Sequence, residues 1–86
     1  MVWIVIYSNK AEKDLLSIPK EIAQEMVSRM DVVALDPYKY LHKLRGIDLY
    51  KYRVGQYRAI IQLLNKKLIV HVVKVKHRSI VYKKLK

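Results

Sequence analysis

The apolar residues of this chain change period midway, from helical to alternating spacing, and that switch limits the folds open to it. Residues 2–7 form a β-branched apolar run, long enough for a strand and too short for a buried helix. Ser8 and Asn9 follow as N-cap candidates, and Glu12 stands three residues after Asn9, as a capping box requires. Ala11, Leu15 and Ile18 are spaced by four and three, which predicts one apolar helical face. Pro19 ends that helix and suits the first turn of another, for which Ser17 is the cap candidate. Ile22, Met26, Met30 and Val33, with Ala23 and Ala34, continue one stripe until Asp36-Pro37, where the residue before proline is pushed out of helical geometry.

From Leu49 the period is two. Tyr50, Tyr52 and Val54 fall on one face of a predicted strand, and Leu49, Lys51 and Arg53 on the other. Gly55-Gln56 is a two-residue hairpin turn with glycine first, the type II′ preference. Residues 57–64 form the returning strand, and Asn65-Lys66-Lys67 turns the chain again. Residues 68–75 are apolar on both faces except at His71 and Lys74, which predicts a central strand; residues 76–86 are a basic tail. The expectation is one α+β domain over residues 1–86, ordered β-α-α-β-β-β, with an N-terminal helical hairpin packed on one face of an antiparallel sheet. The strand order within that sheet stays open at this level.

Charge divides the chain the same way. All seven acids lie in the first 48 residues, where seven Lys and Arg balance them. Residues 49–86 hold eleven Lys and Arg and no acid, so the formal charge of +11 belongs to that half. A field so one-sided favours a polyanionic or acidic partner; the competing reading is a generally basic solvated surface. No cysteine is present, so neither a disulfide nor a cysteine metal site staples the fold. No apolar run reaches the roughly 18 residues that a membrane helix needs, and residues 1–7 lack a basic leader and a cleavage site. The expectation is a cytoplasmic protein without membrane, metal or cofactor.

The composition narrows the chemistry. Paired-carboxylate glycosidase work and two-metal phosphodiesterase work both need clustered acids, which the basic half lacks. His42, His71 and His77 have no zinc-ligand spacing, and two glycines make no phosphate loop. What remains is a site of cations and tyrosines. RNA brings its own nucleophile, the 2′-hydroxyl beside each phosphate, so a protein that aligns this group and stabilises the developing charge can cut the strand without metal. Lys51, Arg53 and Arg58 meet around the Gly55-Gln56 turn, and Lys76, His77 and Arg78 form a further cluster. The competing role for the strand cations is protection of an edge against aggregation.

Lys43-Leu44-Arg45-Gly46, then Tyr50-Lys51-Tyr52-Arg53-Val54-Gly55-Gln56-Tyr57-Arg58, then Val75-Lys76-His77-Arg78 through Val81-Tyr82, resemble the RelE/ParE toxin superfamily on its RelE side. The resemblance implies a toxin that enters the ribosomal A site and cuts mRNA without metal, through a 2′,3′-cyclic phosphate, and that an acidic antitoxin neutralises. It implies that Lys51 is a catalytic lysine and that Arg53 stands where a second lysine is often found. Arg58 matches the arginine of the hairpin and is the first choice for holding the scissile phosphate and its transition state. Arg78 or Lys76 then clamps phosphate, His77 serves as acid or base, and Tyr82 stacks on a base or helps transfer protons. Arg45 is a secondary RNA contact.

Other readings compete residue by residue. Tyr82 also fits a core cap, His71 a strand or core histidine, and Tyr50, Tyr52 and Tyr57 sheet packing rather than base platforms. At the level of function, the alternatives are a ParE-like inhibitor that binds DNA gyrase without nuclease chemistry, and a basic nucleic-acid-binding domain without catalysis. Net charge suits all three.

Overall fold

A computed structural model describes residues 2–77. The elements are β1 (Ile4–Tyr7), α1 (Asn9–Leu16), α2 (Lys20–Val33), a one-turn α3 (Pro37–Tyr40), β2 (His42–Lys43), β3 (Tyr50–Val54), β4 (Tyr57–Leu64) and β5 (Ile69–His77). The α+β fold with its helical hairpin is the expected one. Two short elements, α3 and β2, are added between the hairpin and the meander. Neither is long enough to show a period.

The five strands form one sheet in the order β1-β5-β4-β3-β2. From β2 to β5 every pairing is antiparallel, whereas β1 adds in parallel beside β5, Ile4 opposite Ile69 and Tyr7 opposite Val72. The most apolar strand, β5, therefore has a neighbour on each side, as its two-faced composition demands. The β3–β4 hairpin closes in two residues, with Val54 opposite Tyr57 and Gly55 at φ +59. Gln56 keeps a negative φ, so the turn is type II′. In the β4–β5 turn Leu68 takes the left-handed φ of +53, which a Cβ-bearing residue adopts at a cost.

A bulge shifts the register of β5. Ile60 pairs with Lys74 and Ile61 with Val72, which leaves Val73 without an opposite residue. As a result Val70, Val72 and Val75 all reach the core although their spacing is two and then three. They meet Ala59, Ile61 and Leu63 of β4, Val54 of β3, Ala11 of α1, and Met26, Met30 and Val33 of α2. Met26 and Met30, the stripe residues of the second helix, are fully buried, and each such side chain contributes roughly 1.5–3 kcal/mol. All this packing lies on one face of the sheet.

Of the two N-cap candidates for the first helix Ser8 is the one used, while Ser17 departs from the sequence pattern. Ser8, extended at φ −67 and ψ 163, is the N-cap of α1 and accepts from the Ala11 N–H, so Asn9 is the first helical residue. Ser17 closes α1 instead of opening α2; its hydroxyl donates to the Asp14 carbonyl at 2.8 Å. Pro19 occupies the N-cap position of α2. Beyond Val72, β5 outlasts β1, and α1 takes over its exposed edge. There the Ser8 hydroxyl donates to the Val73 carbonyl, and the Val75 N–H donates to the buried Asp14 carboxylate at 2.9 Å.

Candidate functional site

The face of the sheet turned away from the helices carries the cations. Alternation and register place them in two cross-strand rows. In one row Arg53, Arg58 and Lys76 lie opposite one another on β3, β4 and β5. In the next, His42 of β2 faces Lys51, which faces Ile60, which faces Lys74. His42, Lys51, Arg53 and Arg58 line a cavity of about 300 Å³. No carboxylate lines it.

Like charges directly opposite on a sheet repel, so this arrangement works against stability unless an anion is bound. Among the described residues the ion pairs are Lys10–Asp14, Arg29–Glu25 and Lys43–Asp48. None includes Lys51, Arg53 or Arg58. Lys76 is held below the ordinary lysine pKa, first by hydrogen bonding to Lys74, then by desolvation and by the charges of Lys74 and Lys10. It releases its proton more readily than a free lysine does.

The sequence-derived residues do not all converge. Lys51, Arg53 and Arg58 come together in one cavity, with Lys76 next to Arg58. His77 is paired with Tyr57 and packs edge-to-face against its ring at 4.9 Å, on the side of the helices. Arg45 is exposed in the loop between β2 and β3, outside the cavity lining. Arg78 and Tyr82 lie outside the described residues. Tyr50, Tyr52 and Tyr57 pack partly buried against the core, as sheet residues do. His71, half-buried, lies 3.4 Å from the Gln62 amide oxygen. His42 is the lining residue that periodicity missed, because a strand of two residues has no alternation to read.

The same face ends in an apolar strip at β1. Ile4 and Ile6 are 62% and 44% exposed, and Val2 is 63% exposed. A basic field beside uncovered aliphatic side chains differs from an ordinary solvated surface. Among the described residues no group of three or more His, Asp or Glu is placed to hold a metal ion. No helix there is long and apolar enough to cross a membrane.

The fold is shared with solved toxins. The RelBE2 toxin–antitoxin complex of Mycobacterium tuberculosis contains a chain that superposes with a TM-score of 0.83 at 22% identity, covering 91% of this chain and 100% of that one. The archaeal RelE–RelB complex of Pyrococcus horikoshii gives 0.77 at 29% identity, over 91% and 97%. The isolated RelE toxin of E. coli gives 0.78 at 25% identity, over 96% and 94%. No curated protein sequence matches significantly. The family profile of the ParE toxin of the type II toxin–antitoxin system parDE matches residues 5–82. With nearly the whole chain inside that profile and a RelE fold around the basic cavity, the protein belongs to this type II toxin family, within the RelE/ParE superfamily.

Proposed function

We propose that this toxin is a metal-independent endoribonuclease that cuts ribosome-bound mRNA in the A site and so halts translation. The observation that carries the reading is the convergence of Lys51, Arg53 and Arg58 on one cavity that no carboxylate lines. Such a cavity attracts phosphate, and its fixed cations stabilise the charge that grows on the phosphorus oxygens in the transition state. The RNA 2′-oxygen attacks phosphorus, the P–O5′ bond breaks, and the products are a 2′,3′-cyclic phosphate and a free 5′-hydroxyl. Arg58 holds the scissile phosphate, Lys51 and Arg53 neutralise the transition state, and Lys76 clamps the flanking backbone. Arg78, as phosphate clamp, and Tyr82, as base-stacking or proton-transferring tyrosine, complete the proposed set of functional residues. Arg45 contacts RNA at the margin, whereas His77, turned to the side of the helices, stands apart from the cation face.

The partner is an acidic antitoxin. The similar RelE chains of M. tuberculosis, P. horikoshii and Methanococcus jannaschii were solved as complexes with their antitoxins. Here the basic face supplies the electrostatic half of such an interface, and Val2, Ile4 and Ile6 supply an apolar half.

The ParE family profile keeps one alternative in view, inhibition of DNA gyrase without nuclease chemistry. A gyrase inhibitor has no need of three cations gathered in one cavity, none of them ion-paired among the described residues. Antitoxin-free protein is added to a translating extract and, separately, to a supercoiling assay. Cuts in mRNA on ribosomes, lost when the nucleotide 5′ to the cut carries a 2′-deoxy sugar, are expected, with supercoiling unchanged. Intact mRNA together with blocked supercoiling would establish the alternative.

A further inference from the structure

We propose that His42 takes the proton from the attacking 2′-hydroxyl, from its place across β2–β3 beside Lys51 in the cation-lined cavity. The assignment rests on the nuclease reading and supplies a proton acceptor from within the cavity lining.

The reaction requires an acceptor. As the O2′–P bond forms, the 2′-hydroxyl proton must leave, and as the P–O5′ bond breaks, O5′ must gain one. Lys51, Arg53 and Arg58 bring protons and no lone pair at neutral pH, so they stabilise or donate and do not accept. Among the described residues that line the cavity, His42 alone offers an imidazole nitrogen, and imidazole is the side chain whose ordinary titration range spans neutrality. The proton passes from O2′ to His42, O5′ takes one from the Lys51 ammonium, and solvent restores both groups.

Position supports the role. His42 is the Cα partner of Lys51, and such cross-strand neighbours have Cβ atoms about 5 Å apart. Short as β2 is, its ends are fixed: Leu41 is buried, the Leu44 N–H donates to the Leu49 carbonyl at 2.8 Å, and Lys43 pairs with Asp48 at 3.9 Å. The His42 side chain itself is exposed, open to a substrate. The charged groups around it are Lys51 and Arg53 from β3, Arg58 from β4, Lys74 further along its own row on β5, and the Lys43–Asp48 pair of the adjoining loop. Other acceptors are worse placed. His77 packs on Tyr57, His71 lies beside Gln62, and Lys76 is one strand beyond Arg58.

The test measures single-turnover cleavage of ribosome-bound mRNA from mildly acid to mildly alkaline pH, for wild type, His42→Ala, His42→Gln and Lys66→Ala. Lys66→Ala, in the β4–β5 turn, should keep the wild-type rate and pH profile. Both His42 variants should retain the wild-type unfolding midpoint, lose about 100-fold in rate, and lose the rise in rate with pH. Added imidazole should restore part of the His42→Ala rate, because it fits the space vacated. Wild-type rate and pH profile in the His42 variants would overturn the assignment while leaving the nuclease reading intact. A slower variant with the pH rise preserved and no imidazole rescue would also overturn it, reducing His42 to a positioning residue. If the wild-type protein fails to cut, both fall together.

Discussion

Tyr7 is a core tyrosine whose hydroxyl is buried without a hydrogen-bond partner among the described residues. Burial, and to a lesser degree the Asp31 charge, raises its pKa from 10.0 to about 12. A buried hydroxyl with no partner works against folding, so Tyr7→Phe should leave stability unchanged or raise it by about 1 kcal/mol, measured by urea unfolding at neutral pH. The pH dependence has a definite sign. Because the folded state holds this proton more tightly than the unfolded state, proton linkage sets no penalty below pH 10, and folding weakens as pH rises from there through about 12. Wild type should therefore lose stability faster than Tyr7→Phe on the alkaline side; parallel curves would contradict the assigned burial. The proposed site has a different residue-level logic. Lys51, Arg53 and Arg58 were legible because alternation alone sends them to the face opposite Tyr50, Tyr52 and Tyr57. His42 was not, since its place depends on a pairing with Lys51 that no local pattern announces.

At the scale of elements, the contact between α1 and β5 ties the two halves of the chain together. Where β1 stops, the edge of β5 presents the Val73 carbonyl and the Val75 N–H, and Ser8 and Asp14 satisfy them. Asp14 also pairs with Lys10 at 2.6 Å, so its buried carboxylate is matched on both oxygens. Asp14→Ala removes a charged acceptor and leaves a buried N–H unpaired, and it should cost about 2 kcal/mol in chemical unfolding. A change under the measurement error would mean that water replaces the carboxylate there. The same region shows where sequence reading stops. The first helix was legible from Ala11 and Leu15, and its cap was narrowed to Ser8 or Asn9; the contact of Ser8 with β5, which no local pattern shows, goes with the choice of Ser8. Likewise the Gly55-Gln56 hairpin is local and was readable, whereas the parallel β1–β5 pairing joins residues more than 60 apart in sequence, and the bulge at Val73 is a shift in the β4–β5 register that no period announces. Long-range pairing leaves no period behind.

For the molecule as a whole, the division of charge becomes a division of faces. The neutral half supplies β1, the helices and β2, with Met26, Met30 and Val33 closing the core. The basic half supplies three sheet strands and, on their uncovered face, the rows of cations. On the proposed function, RNA and an acidic antitoxin are drawn to the same surface, so the two should compete, each weakened by salt. The face itself was legible from the absence of acids after Asp48; the apolar strip of Ile4 and Ile6 at its border was not, because that depends on where β1 joins the sheet. In the proposed reaction this cavity performs the chemistry and does not only attract RNA. The deciding measurement is the rate of ribosome-bound mRNA cleavage by Arg58→Ala beside Lys66→Ala, two variants with the same net charge and different positions. A catalytic role for the cavity predicts a loss of at least about 100-fold for Arg58→Ala and nearly none for Lys66→Ala. Equal losses would contradict it.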